Sequence, residues 1–170
     1  MAKKNKSPKT SIDFDIGIGE IIPATQEAFD GDNLLIGKRK EEKTNLTKFK
    51  ENLRNKITSS TKDQKSFPSD KEVFIFVFQY FIGRTEYTKR DIDNMAKTVL
   101  DALKGLIYVD DGQVRTLLVG KKIERRVPQN FAYIAVKLLG KEQDVDALKI
   151  SGLERSVTMF EELKKQGLLT

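Results

Sequence analysis

Ten consecutive residues, VFIFVFQYFI at 73–82, constrain the fold more than any other stretch. Ten residues are too few to cross a bilayer as a helix, which takes about 20. The run is dense in β-branched and aromatic side chains and is apolar at odd and even positions alike. That pattern fits a central strand with both faces covered. The rest of the chain must then be arranged around a sheet.

The flanking segments supply that arrangement. SIDFDIGI at 11–18 alternates, with Ile12, Phe14, Ile16 and Ile18 on one face and Asp13 and Asp15 on the other, as in a half-buried strand. Residues 40–57 read as a helix with Leu46, Phe49, Leu53 and Ile57 on one stripe. Lys43, Lys48, Lys50, Arg54 and Lys56 cover much of the remainder and read as a solvated face. The stretch 58–70 is a polar linker. Ile92, Met95, Ala96, Val99, Ala102, Leu103 and Leu106 have helical spacing and predict a short helix over 94–104. Asp93 is the expected N-cap and Gly105 the expected stop. Strands are expected at 113–125 and 131–139, with a turn at Pro128. Pro23, Gly31 and Gly37 predict a long loop over 23–39, and residues 1–10 a disordered basic arm. From Asp144 onward one or two helices are expected, broken near Gly152. The order implies an α/β or α+β domain with a mixed sheet.

Composition narrows the chemistry. The 170 residues suit one domain, and the net charge of +6 favours polyanionic partners such as nucleic acid. A merely lysine-rich soluble surface would carry the same charge. There is no cysteine and no histidine. Disulfides, thiolate zinc sites, histidine general bases and Ser-His-Asp triads are therefore excluded. Any catalysis must use carboxylates, Lys, Tyr, Ser or Thr, or a metal held by oxygen ligands. The N-terminus lacks the apolar segment of a signal peptide, so a cytoplasmic location is expected.

Against this basic background, KRDIDNMAKTVLDALKGLIYVDDGQV at 89–114 holds five aspartates in twenty-one positions. In an extended backbone, residues two apart point the same way, so Asp91 and Asp93 aim at one spot. A helix of eleven or so residues is roughly 16 Å long. Gly105 lets the chain reverse, and LIYV can run back along that length. Asp110 or Asp111 is then expected beside Asp91 and Asp93. Carboxylates so gathered repel unless a hard divalent cation sits among them, and Mg2+ prefers such oxygen ligands. Lys97, one helical turn after Asp93, faces the same region and would neutralise a phosphate or orient a nucleophile. The plainer alternative makes Asp93 a helix cap, pairs Lys97 with Asp101, and leaves Asp110-Asp111-Gly112 as a turn.

The run R-D-I-D-N-M-A-K-T-V-L-D-A-L-K-G-L-I-Y-V-D-D-G-Q-V, Arg90 to Val114, resembles the signature of the RusA family of Holliday junction resolvases. D-x-D-N, K, D-A-L and D-D-x-Q-V occur in order and at family spacing. The resemblance implies a small homodimeric endonuclease that nicks four-way DNA junctions symmetrically. It implies Mg2+ or Mn2+ at a cluster of three aspartates per subunit, Asp91, Asp93 and Asp111, with Lys97 as the functional lysine. Asp110 is the adjacent acid, Asp101 is structural, and Asn94 supports the site by hydrogen bonding. The implied fold is a mixed β-sheet packed by two helices, here over 11–140. The arm at 1–10 and a C-terminal helical extension at 141–170 lie outside the resemblance. Family members carry a Pro-Pro, Asn-containing loop after the first strand, where this chain has Ile22-Pro23-Ala24-Thr25-Gln26. Such enzymes are often encoded by phages and prophages, so a bacterial, archaeal or phage source and action at the nucleoid are expected.

Lys38, Arg39, Lys89, Arg90, Lys121, Lys122, Arg125 and Arg126 are the expected phosphate contacts. Two other functions compete. One is a non-catalytic junction-binding protein on the same fold, in which unused acids would only weaken DNA affinity. The other is a tyrosine-nucleophile strand transferase, for which the chain lacks a supporting Arg/His constellation.

Overall fold

The computed structural model describes residues 12–23, 36–125 and 128–140, side chains at 36–43 excepted. The chain divides into two compact units, Met1–Leu138 and Leu139–Thr170. The expected basic arm, the Ala24-Thr25-Gln26 part of the loop, Arg126 and the C-terminal extension lie outside the described residues, as do the side chains of Lys38 and Arg39.

Strand β2 (Val73–Phe81) sits inside a four-stranded sheet with β1 (Phe14–Ile18), β3 (Val114–Ile123) and β4 (Phe131–Leu138), in the order β1-β4-β2-β3. β4 runs antiparallel to both β1 and β2, whereas β2 and β3 are parallel. The sheet is therefore mixed, and the architecture is α+β. A parallel pair needs a crossover. Here helices α2 (Arg84–Thr88) and α3 (Ile92–Leu103) supply it; α1 (Ile36–Thr61) precedes β2. The chain between β2 and α3 thus contains a short helix of its own.

β2 alternates more cleanly than its composition suggests. Val73, Ile75, Val77, Gln79 and Phe81 are fully buried, and the residues between them are half-buried. The buried set faces α1 and α3, in one core with Phe49, Leu53, Ile57, Met95, Val99 and Leu103. Each such side chain contributes about 1.5–3 kcal/mol by leaving water. On the other face the rings of Phe76, Phe78, Tyr80, Phe131 and Tyr133 lie against one another. Gly120 permits this: a Cβ there would lie 2.4 Å from the Phe78 ring.

The stripe Leu46, Phe49, Leu53 and Ile57 is buried as expected. α1 is longer than its apolar spacing predicts. The hydroxyls of Ser59, Ser60 and Thr61 donate back to the carbonyls of Asn55, Lys56 and Ile57, carrying the helix into the polar linker. Two residues of its basic face are not merely solvated. Arg54 donates to the carbonyls of Ala102 and Lys104 at 3.1 and 3.0 Å, closing the C-terminus of α3. Lys50 pairs with Asp101 at 2.6 Å. α1 therefore fixes the helix that carries the acidic motif.

Candidate active site

α3 begins two residues earlier than its spacing predicts, so its N-cap is Asp91 rather than Asp93. The backbone of Asp91 is extended, and its carbonyl accepts the first helical bond, from Met95 N at 3.1 Å. Its carboxylate makes no capping bond. Asp93 lies in the first turn. Among the described residues the side chains of Asp91, Asp93 and Lys97 are exposed and make no hydrogen bond or ion pair. Lys97 is not paired with Asp101, whose partner is Lys50. Asn94, next to Asp93, is buried. Two carboxylates and an ammonium thus stand uncommitted on one end of a helix, at the end its dipole makes favourable for anions.

Asp110 and Asp111 sit elsewhere. LIYV does not run back along α3. After Gly105, whose φ of 76° only glycine adopts freely, a tight turn buries Ile107 and Tyr108 beneath the end of the helix. The Tyr108 hydroxyl donates to the Leu100 carbonyl at 3.0 Å and lies 3.4 Å from an Asp111 oxygen. Burial, with the Asp111 charge beside it, pushes the phenol well above its ordinary range, so it remains a donor. Asp111 is thereby held at the last turn of α3. Nine residues of helix from Asp91 to Leu100 span roughly 14 Å at 1.5 Å per residue.

The aspartate pair has its own counterion. Lys104 Nζ lies 2.6 Å from Asp110 and 3.0 Å from Asp111. The Lys104 hydrogen bond, helped by the backbone N–H groups of Asp111 and Gly112, holds the Asp110 carboxyl below its ordinary range. Gln113 anchors the turn. Its side-chain oxygen accepts from Val109 N and Asp110 N, and its nitrogen donates to the carbonyls of Ser69 and Lys71, all at 2.8 Å. This gives the glutamine of D-D-x-Q-V a role that sequence reading missed. The signal available was a polar residue closing the acidic turn immediately before a strand.

β3, not LIYV, makes the return journey to Asp91, and it delivers Lys121. The Lys121 ammonium donates to the carbonyls of Tyr87, at 2.9 Å, and Arg90, and sits 4.5 Å from the centre of the Tyr87 ring. Two of its three N–H donors are therefore engaged within the protein. Arg90 is largely covered and pairs with Glu86, whereas Lys89 is well exposed beside the same glutamate. Lys122 is exposed and pairs with Glu124 at 3.1 Å; Arg125 is exposed. An open groove beside Arg90 is lined by Asn45, Lys48, Asn52, Gln129 and Asn130. Glu20 also lines it, so the groove mixes amide and basic groups with one carboxylate.

The donor set suits a hard divalent cation, being exposed carboxylate oxygen throughout. Its geometry within one chain is incomplete. Among the described residues no group of three or more acidic side chains stands close enough to hold a metal ion. One chain presents two acidic pairs, Asp91 with Asp93 and Asp110 with Asp111, at opposite ends of α3.

Fold and site together define a class: a basic α+β domain with an exposed aspartate constellation. A family comparison makes this specific. The family model Endodeoxyribonuclease RusA matches residues 19–131, most of the folded region. The chain belongs to the RusA family of endodeoxyribonucleases, as its 90–114 motif led us to expect. A search of curated proteins found no match. No described helix is long and apolar enough to cross a membrane.

Proposed function

We propose that this chain is a metal-dependent, structure-selective endonuclease that resolves four-way DNA junctions by paired symmetric nicks, acting as a homodimer. One observation carries the reading. Inside the RusA match, Asp91, Asp93 and Lys97 stand exposed and unpaired at the start of α3, where a merely structural role would have engaged them.

Asp91, Asp93 and Asp111 would hold Mg2+ or Mn2+. When bound, the ion supplies charge neutralisation at the scissile phosphate. Lys97 faces the phosphate as a fixed positive charge. Exposed basic residues, Lys89 and Arg125 among them, draw in the DNA backbone. Because one chain holds Asp91 and Asp93 at the start of α3 and Asp111 at its last turn, with roughly 14 Å of helix between Asp91 and Leu100, the complete set would form between two copies, Asp91 and Asp93 of one with Asp111 of its partner. β3 is an edge strand, and Ile92, Val109, Leu118 and Ile123 are exposed apolar residues on or beside these elements. They suit such a contact. A two-fold dimer then carries two equivalent sites, matching a two-fold junction.

The test is cleavage of a synthetic four-way junction against a linear duplex, with Mg2+ and with EDTA. Paired nicks on the junction alone, lost in EDTA, support the reading; equal cutting of duplex removes the structure selectivity. Mixing inactive Asp93→Asn and Asp111→Asn chains tests the shared site. A mixed dimer keeps one intact site and regains single-strand nicking. If the mixture is as inactive as either parent, each site belongs to one chain.

A further inference from the structure

We propose that Lys121 is a positioning residue for Asp91 and Asp93, rather than a contact for DNA phosphate. The inference rests on the nuclease reading of those two aspartates.

Asp91 occupies a helix N-cap without using its side chain as a cap. Nothing in its own side chain therefore fixes where the carboxylate points. What fixes it is the backbone that leads into it. That backbone is the joint between α2 and α3, and its carbonyls lie beyond the reach of helical partners. Lys121 supplies the missing donors. It bonds the Tyr87 carbonyl at the end of α2 and the Arg90 carbonyl immediately before Asp91. Its charge also rests on the Tyr87 ring.

The base from which Lys121 reaches is rigid. It lies on β3 opposite Gln79 of β2. Gln79 is fully buried and accepts a hydrogen bond from Ile22 N at 2.9 Å. The Tyr87 ring is itself held edge-on against Phe81, with ring centres 5.9 Å apart. Core strand, lysine, joint and acidic pair thus form one connected path. A displacement of about 1 Å at such a pair can lower a rate a hundredfold.

The two roles of Lys121 predict different behaviour. A phosphate contact, once removed, weakens metal-free junction binding and lowers the salt slope by about one. A positioning residue leaves binding alone and loosens the start of α3. Three measurements on the full chain separate them for Lys121→Met, Lys121→Arg and wild type. They are hydrogen exchange at the Met95 amide, metal-free junction binding at several salt concentrations, and nicking with saturating Mg2+.

For Lys121→Met we expect Met95 exchange to rise by about fivefold or more. Nicking should fall by about tenfold or more, while junction affinity and its salt slope stay at wild-type values. Lys121→Arg, which keeps donors and a charge over the ring, should recover much of both losses. Unchanged exchange in Lys121→Met would overturn the proposal, as would a lowered salt slope. If Lys121→Met does not fold, Lys121→Arg decides: wild-type exchange and nicking support the proposal, and loss of nicking with wild-type exchange overturns it. Should the wild-type chain fail to nick, the nuclease reading fails by itself, and the exchange measurement still decides whether Lys121 anchors the joint.

Discussion

The two ends of α3 carry the same chemistry in opposite conditions. At the N-terminal end, Asp91 and Asp93 are exposed and unpaired, on a backbone pinned from behind by Lys121. At the C-terminal end, Asp110 and Asp111 share the Lys104 ammonium, on a turn pinned by Gln113. In both, neutral backbone groups do the anchoring through one polar side chain. The difference is the counterion. The first pair is open to an incoming cation. The second already has one, and on the proposed reading a metal would have to share or displace it. An internal ammonium offsets the mutual repulsion of the second pair, and the first has no such counterion among the described residues.

The largest expected effects come from deleting either end. Asp93→Asn and Asp111→Asn should each lower junction nicking on the order of a thousandfold, as loss of a key electrostatic group does. Metal-free junction binding should hold or tighten, since each change removes a negative charge facing phosphate. If either variant nicks at wild-type rate, that end does not belong to the site. Gln113→Ala comes next. It removes four backbone contacts, and we expect a stability loss of about 1–2 kcal/mol by thermal melting. Nicking should fall as Asp111 loses its fixed place, with Asp91 and Asp93 unaffected by hydrogen exchange in the first turn of α3.

How far the sequence disclosed this asymmetry depends on the range of the interactions involved. Periodicity is local, and it marked the Leu46–Ile57 stripe and α3 within a few residues, whereas the apolar run marked β2 as a strand but not its alternation. The D-x-D-N and D-D-x-Q-V motifs marked the acids. The path between them was misjudged, because Gly105 permits both a return along the helix and the tight turn that forms. Burial of Tyr108 under Leu100 decides between them, and that is a tertiary contact. Lys121 was read as a phosphate contact and Arg54 as part of a solvated face for the same reason. Their acceptors are carbonyls 31 to 50 residues away in the chain, and carbonyls carry no sequence signal. Asp91 was passed over as N-cap because residue type alone does not distinguish it from Asp93.

A smaller effect follows from making the second pair resemble the first. Lys104→Met leaves Asp110 and Asp111 without their counterion. If the ammonium competes with metal, the Mg2+ concentration for half-maximal nicking should drop by roughly threefold, the modest scale of exposed ion pairs. No change would mean that Lys104 and the metal coexist.

The smallest effect is a titration, and its sign is fixed by the contacts. Lys104 holds Asp110 below the ordinary aspartate value of 3.8, and the two aspartates hold Lys104 above its ordinary 10.5. A depressed carboxyl stabilises the fold above its unfolded pKa and loses that contribution as pH falls through the folded one. A raised amine does the reverse, stabilising below its unfolded pKa and losing the contribution as pH rises through the folded one. The pair is therefore intact across neutral pH and opens only in strong acid or strong base. Carboxyl NMR of the metal-free protein should find Asp110 titrating below 3.8. In Lys104→Met its midpoint should rise, yet stay depressed, because the backbone N–H groups of Asp111 and Gly112 still donate to it. A full return to 3.8 would mean that the ammonium alone sets the charge of this turn, and that its backbone differs less from the Asp91 joint than the hydrogen bonds indicate.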